Sequence, residues 1–420
     1  MIYSHASRYF TQSHILFFDA APDLIAQYAN ELDLIRFKNN STCNIFLSGP
    51  VRGETCALML SEIFATAGYT VGCFFSMAHD LWVNDVRQMI RINGRPLSQE
   101  EFLLDASDFR EAVTKIESRI DRPLPPASKR LLFAGFVFKR HRCNICILDD
   151  SQFDPADRET PFSSELFTPV FTIVTGPGPS ASPELSYSDR CMSAAIKSRT
   201  KVVVSNLQQF YQNITKNCSL YNCRKTETAR AQLTIHSESL GGISFSYRGF
   251  GPFEISTLSQ SVIQDAMAAL DLVRAMEEFG YKTTIEHVSR GLSQIHCPNN
   301  LHLLSLTPTV FLSQIYSFGD ALLLHKSLLF MVEHAIIHAD ICWVGTAFSS
   351  YYKAAVSSDL SLVTSVFPEE PETGTLVQKR KATASALQAI LKANEGKTLV
   401  FCGNTQFLDR IEKAFHSINR

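Results

Sequence analysis

Residues 48–72, SGPVRGETCALMLSEIFATAGYTVG, hold the pattern that decides the fold. An apolar strand over 43–47 leads into a glycine-bearing turn, and a helix-compatible segment and a second apolar strand follow the turn. This order is typical of a phosphate-binding loop, in which backbone N–H groups at a helix N-terminus bind an anion. Arg52 stands where such a loop has lysine, and Glu54 stands where it has serine or threonine.

Strand and helix patterns alternate on both sides of this stretch. Apolar strands are predicted at 45–47, 70–75, 143–148, 169–174 and 201–205. Helical patterns are predicted at 57–67, 99–119, 129–140 and 188–197. Short apolar strands separated by helices predict a parallel, doubly wound α/β sheet.

The pattern changes after residue 205 and then returns. Residues 206–257 predict irregular structure with short antiparallel strands, because glycines mark turns there. A helical pattern follows and ends at Gly280, the residue type favoured just past a helix C-terminus. Strands are then predicted at 301–306, 309–312, 341–344, 360–364 and 398–402, and helices at 321–338, 379–394 and 407–417. The sequence therefore predicts two α/β domains, over 1–296 and 297–420.

The amino-acid composition limits the binding partners and the cellular compartment that can be expected for the protein. The 420 residues carry 39 basic and 41 acidic side chains, a net charge of −2, which gives no bias toward nucleic acid or a membrane surface. No apolar run approaches the roughly 20 residues that span a bilayer, and the start of the chain lacks a signal-peptide pattern. Eleven cysteines without framework spacing favour free thiols in a reducing cytoplasm.

Three other clusters are candidate sites. Cys143 and Cys146 lie in a predicted strand, where positions i and i+3 face opposite sides, so sharing one metal ion is disfavoured. His334 and His338 are an i, i+4 pair without the glutamate of an HExxH motif, and a packing or surface role is favoured. The basic run 139–142 is interpreted as a helix C-terminal cap, with a partner-binding patch as the alternative.

Two further segments extend the pattern of the opening stretch. They are AGYTVG, residues 67–72, and MIRINGRPLSQEEF, residues 89–102. With the loop before them, they resemble the folylpolyglutamate synthase/dihydrofolate synthase family of the Mur-ligase superfamily. The resemblance implies an α/β fold with an N-terminal P-loop-type parallel-sheet ATPase domain and a smaller, Rossmann-like C-terminal domain.

The resemblance also implies a chemistry and a set of site residues. Members of the family use ATP and Mg²⁺ to phosphorylate a substrate carboxylate, which the amine of glutamate then attacks. The resemblance places the phosphate loop and the magnesium position on the following residues: Gly49, Arg52, Gly53, Glu54, Thr55 and Asp149. A folate-like small molecule is the implied ligand.

Most of the family's catalytic positions hold other residues in this chain, and none of its catalytic residues is intact. Glu54 replaces a magnesium-binding serine, and Asp149 replaces a glutamate. Asp157 matches the family's aspartate by spacing, the metal-binding histidine falls on Ala181, and the carbamylated lysine falls near Ser193. Further departures lie at Gln260, Gln264, Ser313 and Tyr316, and at Asn299 and Asn300 after Pro298, which matches the family's proline. Lys197 is the candidate substitute for the carbamylated lysine.

Three functions follow from these residues. The first is an ATP-dependent ligase that adds glutamate to a folate or a pteroate. The second is a non-catalytic relative that binds a folate-like ligand or a partner protein. The third is a ligase with relocated groups, acting on a different acid through Arg52, Glu54 and Asp149. The departures favour the second, because function resides in a site and not in a fold.

Overall fold

The computed structural model describes most of the chain. The described residues are 3–11, 22–38, 42–49, 53–75, 86–120, 122–150, 162–175, 185–205, 212–295, 301–315, 318–345, 362–368 and 375–418. The chain divides into two compact units. The first holds residues 1–233, 247–251 and 265–295, and the second holds 234–246, 252–264 and 296–420.

An eight-stranded sheet forms the centre of the first unit. Its strands are β1 (Cys43–Ser48), β2 (Val71–Phe75), β3 (Ile90–Ile92), β4 (Arg95–Pro96), β5 (Ile145–Asp149), β6 (Phe171–Val174), β7 (Val202–Ser205) and β8 (Arg224–Glu227). They are arranged in the order β4-β3-β2-β5-β1-β6-β7-β8. The pairs from β2 through β8 are parallel, and only β3 and β4 run antiparallel to their neighbours. Strands β1, β2, β5, β6 and β7 are fully buried, as parallel strands covered on both faces must be.

Helices pack around this sheet. Those that begin before residue 296 are α1 (Tyr3–Thr11), α2 (Pro22–Glu31), α3 (Glu54–Thr66), α4 (Gln99–Ile120), α5 (Pro126–Arg140), α6 (Leu185–Ala194), α7 (Gln212–Tyr221), α8 (Gln260–Glu277) and α9 (Ile285–Ser293). Short 3₁₀ turns lie at Ile35–Phe37, Val86–Met89, Phe162–Glu165 and Arg230–Gln232. Gly291 of α9 lies against the backbone of Ile63 in α3, where a Cβ would approach the Ile63 nitrogen to 2.7 Å. The two helices therefore pack closely because this position has no side chain.

The first two helices lie in a stretch for which the sequence predicted no element. Phe10 of α1 stacks on Phe133 of α5 with ring centroids 4.6 Å apart, and both side chains are fully buried. Phe102 and Phe109 of α4 join the same aromatic cluster. The first element of the chain is held by this packing, which the sequence around it does not indicate.

The prediction of irregular structure from residue 206 was wrong in part. Helix α7 and strand β8 both lie within that stretch, and β8 extends the parallel sheet beside β7. The helix sequence, QNITKNCSLY, is poor in strong helix formers. Tertiary contacts compensate: the Asp189 carboxylate of α6 accepts hydrogen bonds from the backbone N–H groups of Asn213 and Ile214, at 3.0 and 3.3 Å. A cap supplied by another helix cannot be predicted from local sequence.

The chain between β8 and α9 follows the sequence pattern more closely. Strands β9 (Leu233–Ser239), β10 (Gly242–Tyr247) and β11 (Phe250–Ile255) form a three-stranded sheet in the order β11-β10-β9. Helix α8 ends before Gly280, whose φ of +91° places it in the left-handed region. Its N–H donates to the Glu277 carbonyl, and the Tyr281 N–H donates to the Met276 carbonyl. The predicted role of Gly280 beyond the helix C-terminus is confirmed.

A five-stranded sheet forms the centre of the second unit. Its strands are β12 (His302–Leu306), β13 (Thr309–Gln314), β14 (Ile341–Gly345), β15 (Leu362–Val366) and β16 (Thr398–Gly403), in the order β12-β13-β16-β14-β15. Strands β13 to β16 pair in parallel, and β12 pairs antiparallel to β13. Helices α10 (Phe318–Glu333), α11 (Leu376–Ala393) and α12 (Thr405–Ile418) accompany it. The predicted two-part α/β architecture, with a large parallel sheet and a smaller second sheet, is confirmed.

Candidate functional site

The carboxyl ends of three central strands lie side by side in the first unit. Leu47 of β1 pairs with Asp149 of β5, and Ser48 pairs with Val174 of β6. In open parallel sheets, ligands bind in the crevice beyond the carboxyl ends of the strands. The loop that starts at Gly49 and the acid Asp149 are therefore at the edge where such a fold places its chemistry.

Two glycines, Gly49 and Gly53, lie at the two ends of the loop after β1. A Cβ on Gly49 would collide with the carbonyl oxygen of Thr175, the residue after β6. Gly53 is the N-cap of α3, and a Cβ there would lie 2.8 Å from the Leu47 side chain and 3.0 Å from Asp149 Oδ1. Arg52, with residues 50 and 51, lies outside the described residues. Both glycines thus hold the backbone close to the neighbouring strand ends.

Glu54 begins α3 and forms an ion pair. Its Oε1 lies 3.6 Å from an Nη of Arg91, and the two side chains are only 19% and 16% exposed. The same guanidinium lies over the Phe75 ring, 5.6 Å from the centroid, and donates a 3.0 Å hydrogen bond to Gln88 Oε1. The position that the resemblance gives to a magnesium-binding hydroxyl is therefore occupied by a carboxylate next to an arginine. Thr55, the following residue, is half-buried in the first turn of the helix.

A tight hairpin places Arg91 beside Glu54. Asn93 and Gly94 connect β3 to β4 with φ angles of +48° and +76°, the positive pair that a two-residue type I′ turn requires. The Asn93 side chain accepts a 2.8 Å hydrogen bond from the Val71 N–H, and the Asn93 N–H donates to the Val71 carbonyl. Residues 91–94 thus fix the hairpin on β2, and this hairpin brings Arg91 to the site.

Helix α8 contributes a second buried carboxyl, Asp265, which interacts electrostatically with Asp149. Asp265 and Asp149 are 7% and 4% exposed. Burial raises the pKa of the Asp265 carboxyl well above its ordinary value, and the negative charge of Asp149 raises it further. The Cys56 thiol of α3 is fully buried, and burial followed by the charges of the same two aspartates raises its pKa. Asp149, Asp265 and Cys56 thus form a buried acidic centre. While Asp149 is charged, ionisation of Asp265 or Cys56 is disfavoured.

Asp265 was not among the predicted site residues, although the sequence of α8 carries a signal for it. Helix α8 is apolar over most of its length, and Asp265 and Asp271 lie among its buried residues. A buried acid on an apolar helix face is uncommon unless it is paired or neutral. Asp271 meets this condition through Arg248, whose Nε lies 2.8 Å from its carboxylate, and through a 2.7 Å hydrogen bond from the Tyr247 hydroxyl.

The acid next to Asp149 has a structural task. Asp150 is fully buried and accepts hydrogen bonds from the Ser163 N–H at 3.1 Å and from its hydroxyl at 3.0 Å. Asp157 and Ala181, which the resemblance also aligned with site residues, lie outside the described residues. Of the acidic segment after β5, the structure thus describes the buried pair Asp149 and Asp150.

Ser193 takes part in the packing between α6 and α7. It is 6% exposed, its hydroxyl donates to the Arg190 carbonyl at 3.1 Å, and its own carbonyl accepts from Asn217 Nδ2 at 2.9 Å. Lys197 was considered as a substitute for the carbamylated lysine on the premise of a helix reaching 197. Helix α6 ends at Ala194, and Lys197 lies beyond it in a turn closed by Thr200. The premise of a shared helix was wrong.

The remaining predicted departures are divided between α8 and the second unit. Gln260 and Gln264 lie on the first turns of α8. Ser313 lies on β13 with its side chain 3% exposed. Tyr316 and residues 298–300 lie outside the described residues.

A cavity of about 120 Å³ lies elsewhere in the first unit. It is lined by Tyr247, Phe250, Leu270, Val273, Arg274, Glu277, Thr283, Thr284, Ile285 and Val288. Ligand pockets have volumes of roughly 300–1,000 Å³, so this space is too small to hold a folate-sized molecule. The edge beyond β1 and β5 remains the better candidate among the described residues.

Comparisons with known proteins identify the fold. Folylpolyglutamate synthetase from Lactobacillus casei superposes with a TM-score of 0.72 at 14% identity, over 100% of both chains. Folylpolyglutamate synthase from Thermotoga maritima gives 0.71 at 14%, over 100% of this chain and 97% of the other. The enzyme from Mycobacterium tuberculosis, complexed with ADP and AMPPCP, gives 0.67 at 12%, over 94% and 95%. No protein-family model and no curated protein matches the sequence.

The chain therefore has the two-domain fold of the folylpolyglutamate synthetases along its whole length. The resemblance drawn from residues 48–72 and 89–102 is confirmed at the level of the fold. Among the helices of the described residues, none is long and apolar enough to span a membrane.

Proposed function

We propose that this chain is a folylpolyglutamate synthase/dihydrofolate synthase-like protein with impaired ligase chemistry, which acts in the cytoplasm by binding a folate-like small molecule or a partner protein. In this proposal residues 1–296 form the former ATPase domain and residues 297–420 the former glutamate-ligase domain. The protein would act within folate and one-carbon metabolism as a binding or regulatory component.

The ion pair between Glu54 and Arg91 is the observation that carries the proposal. Magnesium on a phosphate loop is ordinarily bound by a neutral Ser or Thr hydroxyl, which adds no charge beside the phosphates. Glu54 brings a negative charge to this position, and Arg91 neutralises it at 3.6 Å. A cation and a triphosphate would have to displace a half-buried ion pair that is also stacked on Phe75.

The position at which the family stabilises its metal ion also supports the proposal. The position aligned with the carbamylated lysine is Ser193, whose hydroxyl and carbonyl both serve the contact between α6 and α7. Structures of folylpolyglutamate synthetases carry AMPPCP and folate. In this chain the described donor set at the corresponding edge fits Mg-ATP poorly.

A specific observation favours a second candidate, an active ATP-dependent carboxylate–amine ligase with a rearranged site and a different acid substrate. Asp265 and Asp149 are both buried, and the charge of Asp149 adds to the raised pKa of the Asp265 carboxyl. Carboxylate oxygens are ligands that Mg²⁺ prefers, and a bound cation would lower the cost of two buried negative charges. Asp149 and Asp265 would hold the metal in this case, and Glu54 would not.

Calorimetry and a phosphate-release assay test the first candidate. Wild-type protein titrated with Mg-ATP is expected to give no binding heat, and no glutamate-dependent phosphate release with dihydropteroate or tetrahydrofolate. Titration with either pterin compound alone is expected to give a saturable heat. Glutamate-dependent turnover that Arg52→Ala abolishes would refute the loss of catalysis, and the absence of any pterin heat would refute a folate-like ligand.

A reversion variant asks whether Glu54 is the obstacle. Glu54→Ser restores the hydroxyl of the family pattern and releases Arg91, so Mg-ATP heat is expected to appear or to increase. Glu100→Ser is the matched control, since Glu100 is also a first-turn acid of a helix but is exposed. Equal behaviour of the two variants would remove Glu54 from the argument.

The second candidate needs its own variant. If Asp149 and Asp265 hold a cation, millimolar Mg²⁺ should raise the melting temperature of the wild type, and Asp265→Asn should abolish this increase. Asp340→Asn, at an exposed acid of the second unit, is the control and should leave it intact. An unchanged melting temperature on adding Mg²⁺ to the wild type would eliminate the second candidate.

A further inference from the structure

Helix α7 ends in a motif that brings two cysteines together. The Asn222 N–H donates to the Ser219 carbonyl at 3.4 Å, and the Cys223 N–H donates to the Cys218 carbonyl at 3.0 Å. Asn222 between them has a φ of +52°, in the left-handed region that asparagine tolerates better than most residues. These two backbone bonds and this angle define a Schellman motif, with Cys218 at C3 and Cys223 at C″.

The motif determines which side chains meet. Residues C3 and C″ commonly make a side-chain contact that covers the end of the helix. Helix α3 of this chain gives an example, since Gly68 follows its C-terminus and the same pair of backbone bonds is present. There the C3 and C″ residues are Phe64 and Tyr69, and their ring centroids lie 5.9 Å apart.

At the end of α7 the corresponding C3 and C″ positions are both cysteines. Cys218 belongs to an apolar cluster with Ile214 and Val203, and the Cys223 side chain packs against the same cluster. Cys218 is 2% exposed, whereas Cys223 is partly exposed. Cys223 is therefore the more accessible of the two residues to a reagent in solution.

The electrostatic environment divides the two thiols into different roles. The hydrogen bond from Cys218 lowers the pKa of the Cys223 thiol, and the positive charge of Lys225 acts in the same direction. For Cys218, the hydrogen bond to Cys223 followed by burial raises the pKa. A partly exposed thiol with a lowered pKa is the typical attacking sulfur, and a protonated neighbour is the typical resolving one.

The other described cysteines lack these features. The remaining seven are buried: Cys43, Cys56, Cys73, Cys143, Cys146, Cys342 and Cys402. Burial raises the pKa of the thiols of Cys43, Cys73 and Cys143 to about 12, so these thiols are inert at neutral pH. Within the described part of the chain, the reactive sulfur chemistry is confined to the end of α7.

We propose that Cys218 and Cys223 form a reversible disulfide by exchange with a low-molecular-weight disulfide of the glutathione type. The Cys223 thiolate attacks one sulfur of the external disulfide, which forms a mixed disulfide and releases one thiolate. Cys218 loses its proton to solvent and attacks Cys223 Sγ, which breaks the mixed bond and releases the second thiolate. Two protein thiols are oxidised, and one external disulfide is reduced to two thiols.

The bond has a local structural consequence. Cys218 lies in the last turn of α7, and Cys223 immediately precedes β8. A disulfide between them would fix covalently the turn that directs the chain from helix to strand. The oxidised protein is therefore expected to resist unfolding of this helix more strongly than the reduced protein.

Peptide mapping tests the proposal without a variant. The folded full-length protein is incubated with oxidised glutathione, alkylated under denaturing conditions and digested with trypsin. Cleavage after Lys216 and Arg224 gives a peptide, 217–224, that contains both cysteines. We expect this peptide to lose two hydrogen atoms and to carry no alkyl group and no glutathione. Two alkylated thiols, or a lasting glutathione adduct without the internal bond, would overturn the proposal.

Two variants assign the order of attack. In Cys218→Ser the mixed disulfide should accumulate on Cys223, because the resolving sulfur is absent. In Cys223→Ser the peptide should carry no glutathione, and Cys218 should be recovered in the alkylated form, because Cys218 is 2% exposed in the folded protein. Circular dichroism confirms that each variant is folded before it is assayed. Accumulation of glutathione on Cys218 and not on Cys223 would contradict the assigned roles.

Discussion

Replacing Arg91 with alanine is expected to destabilise the first unit by about 2–4 kcal/mol. At 3.6 Å, a pair near the protein surface has a direct Coulomb attraction of roughly 4–5 kcal/mol. Desolvation offsets most of this attraction, so a net of about 1–2 kcal/mol remains for side chains that are less than one-fifth exposed. The contact with the Phe75 ring adds about 0.5–1 kcal/mol, and the hydrogen bond to Gln88 about 1 kcal/mol.

Urea unfolding followed by circular dichroism measures this loss. Arg95→Ala is the matched control, because Arg95 belongs to the same hairpin but is exposed, and it should change the free energy of unfolding by less than about 1 kcal/mol. A double-mutant cycle with Glu54→Gln isolates the ion pair, and a coupling energy of about 1–2 kcal/mol is expected. If Arg91→Ala and Arg95→Ala cost the same, or if the coupling is zero, the Glu54–Arg91 pair does not hold this site together.

Two further predictions concern stability. Because the raised folded-state pKa of Asp265 favours its protonated form, the stability it contributes is present below pH about 4 and is lost as the pH rises through that pKa. In magnesium-free buffer Asp265→Asn should therefore match the wild type near pH 4 and melt at a higher temperature near pH 8; identical pH profiles of the melting temperature would contradict this. Gly291→Ala should destabilise by about 1–2 kcal/mol in urea, because overpacking against the Ile63 backbone exceeds the helix-propensity gain of about 1 kcal/mol. Gly135→Ala is the control, since its Cβ would meet the flexible end of the Leu166 side chain, and a larger loss there would refute the explanation.

The parallel sheets were predictable because their signal is local. Strands such as β1 and β5 are continuous apolar runs bounded by turns, and burial on both faces requires this composition. The role of Gly280 was equally predictable, because few residues besides glycine adopt the left-handed conformation that follows a helix C-terminus. These features depend on a few neighbouring residues.

The missed features depend on partners far away in sequence. Helix α7 is capped by Asp189 from another helix, so its own composition suggested a loop. Arg91 and Glu54 are 37 positions apart, and their pairing follows from the way the hairpin folds onto β2. The sequence alone therefore showed Glu54 as a replaced loop residue and did not indicate its pairing with Arg91. The acidic centre of Asp149 and Asp265 likewise required the packing of α8 to become visible.

The two outer strands of the large sheet bear on the solution behaviour of the protein. An outer strand exposes unpaired N–H and C=O groups, which can recruit a strand from another molecule and start aggregation. Strand β4 has only two residues, and one is Pro96, which has no N–H to donate. At the opposite side, β8 has the sequence RKTE, with charged side chains that oppose close approach of a second chain. Both borders of the sheet thus protect it against intermolecular strand addition, so replacing Pro96 or removing the charges of β8 would create a polymerisation risk.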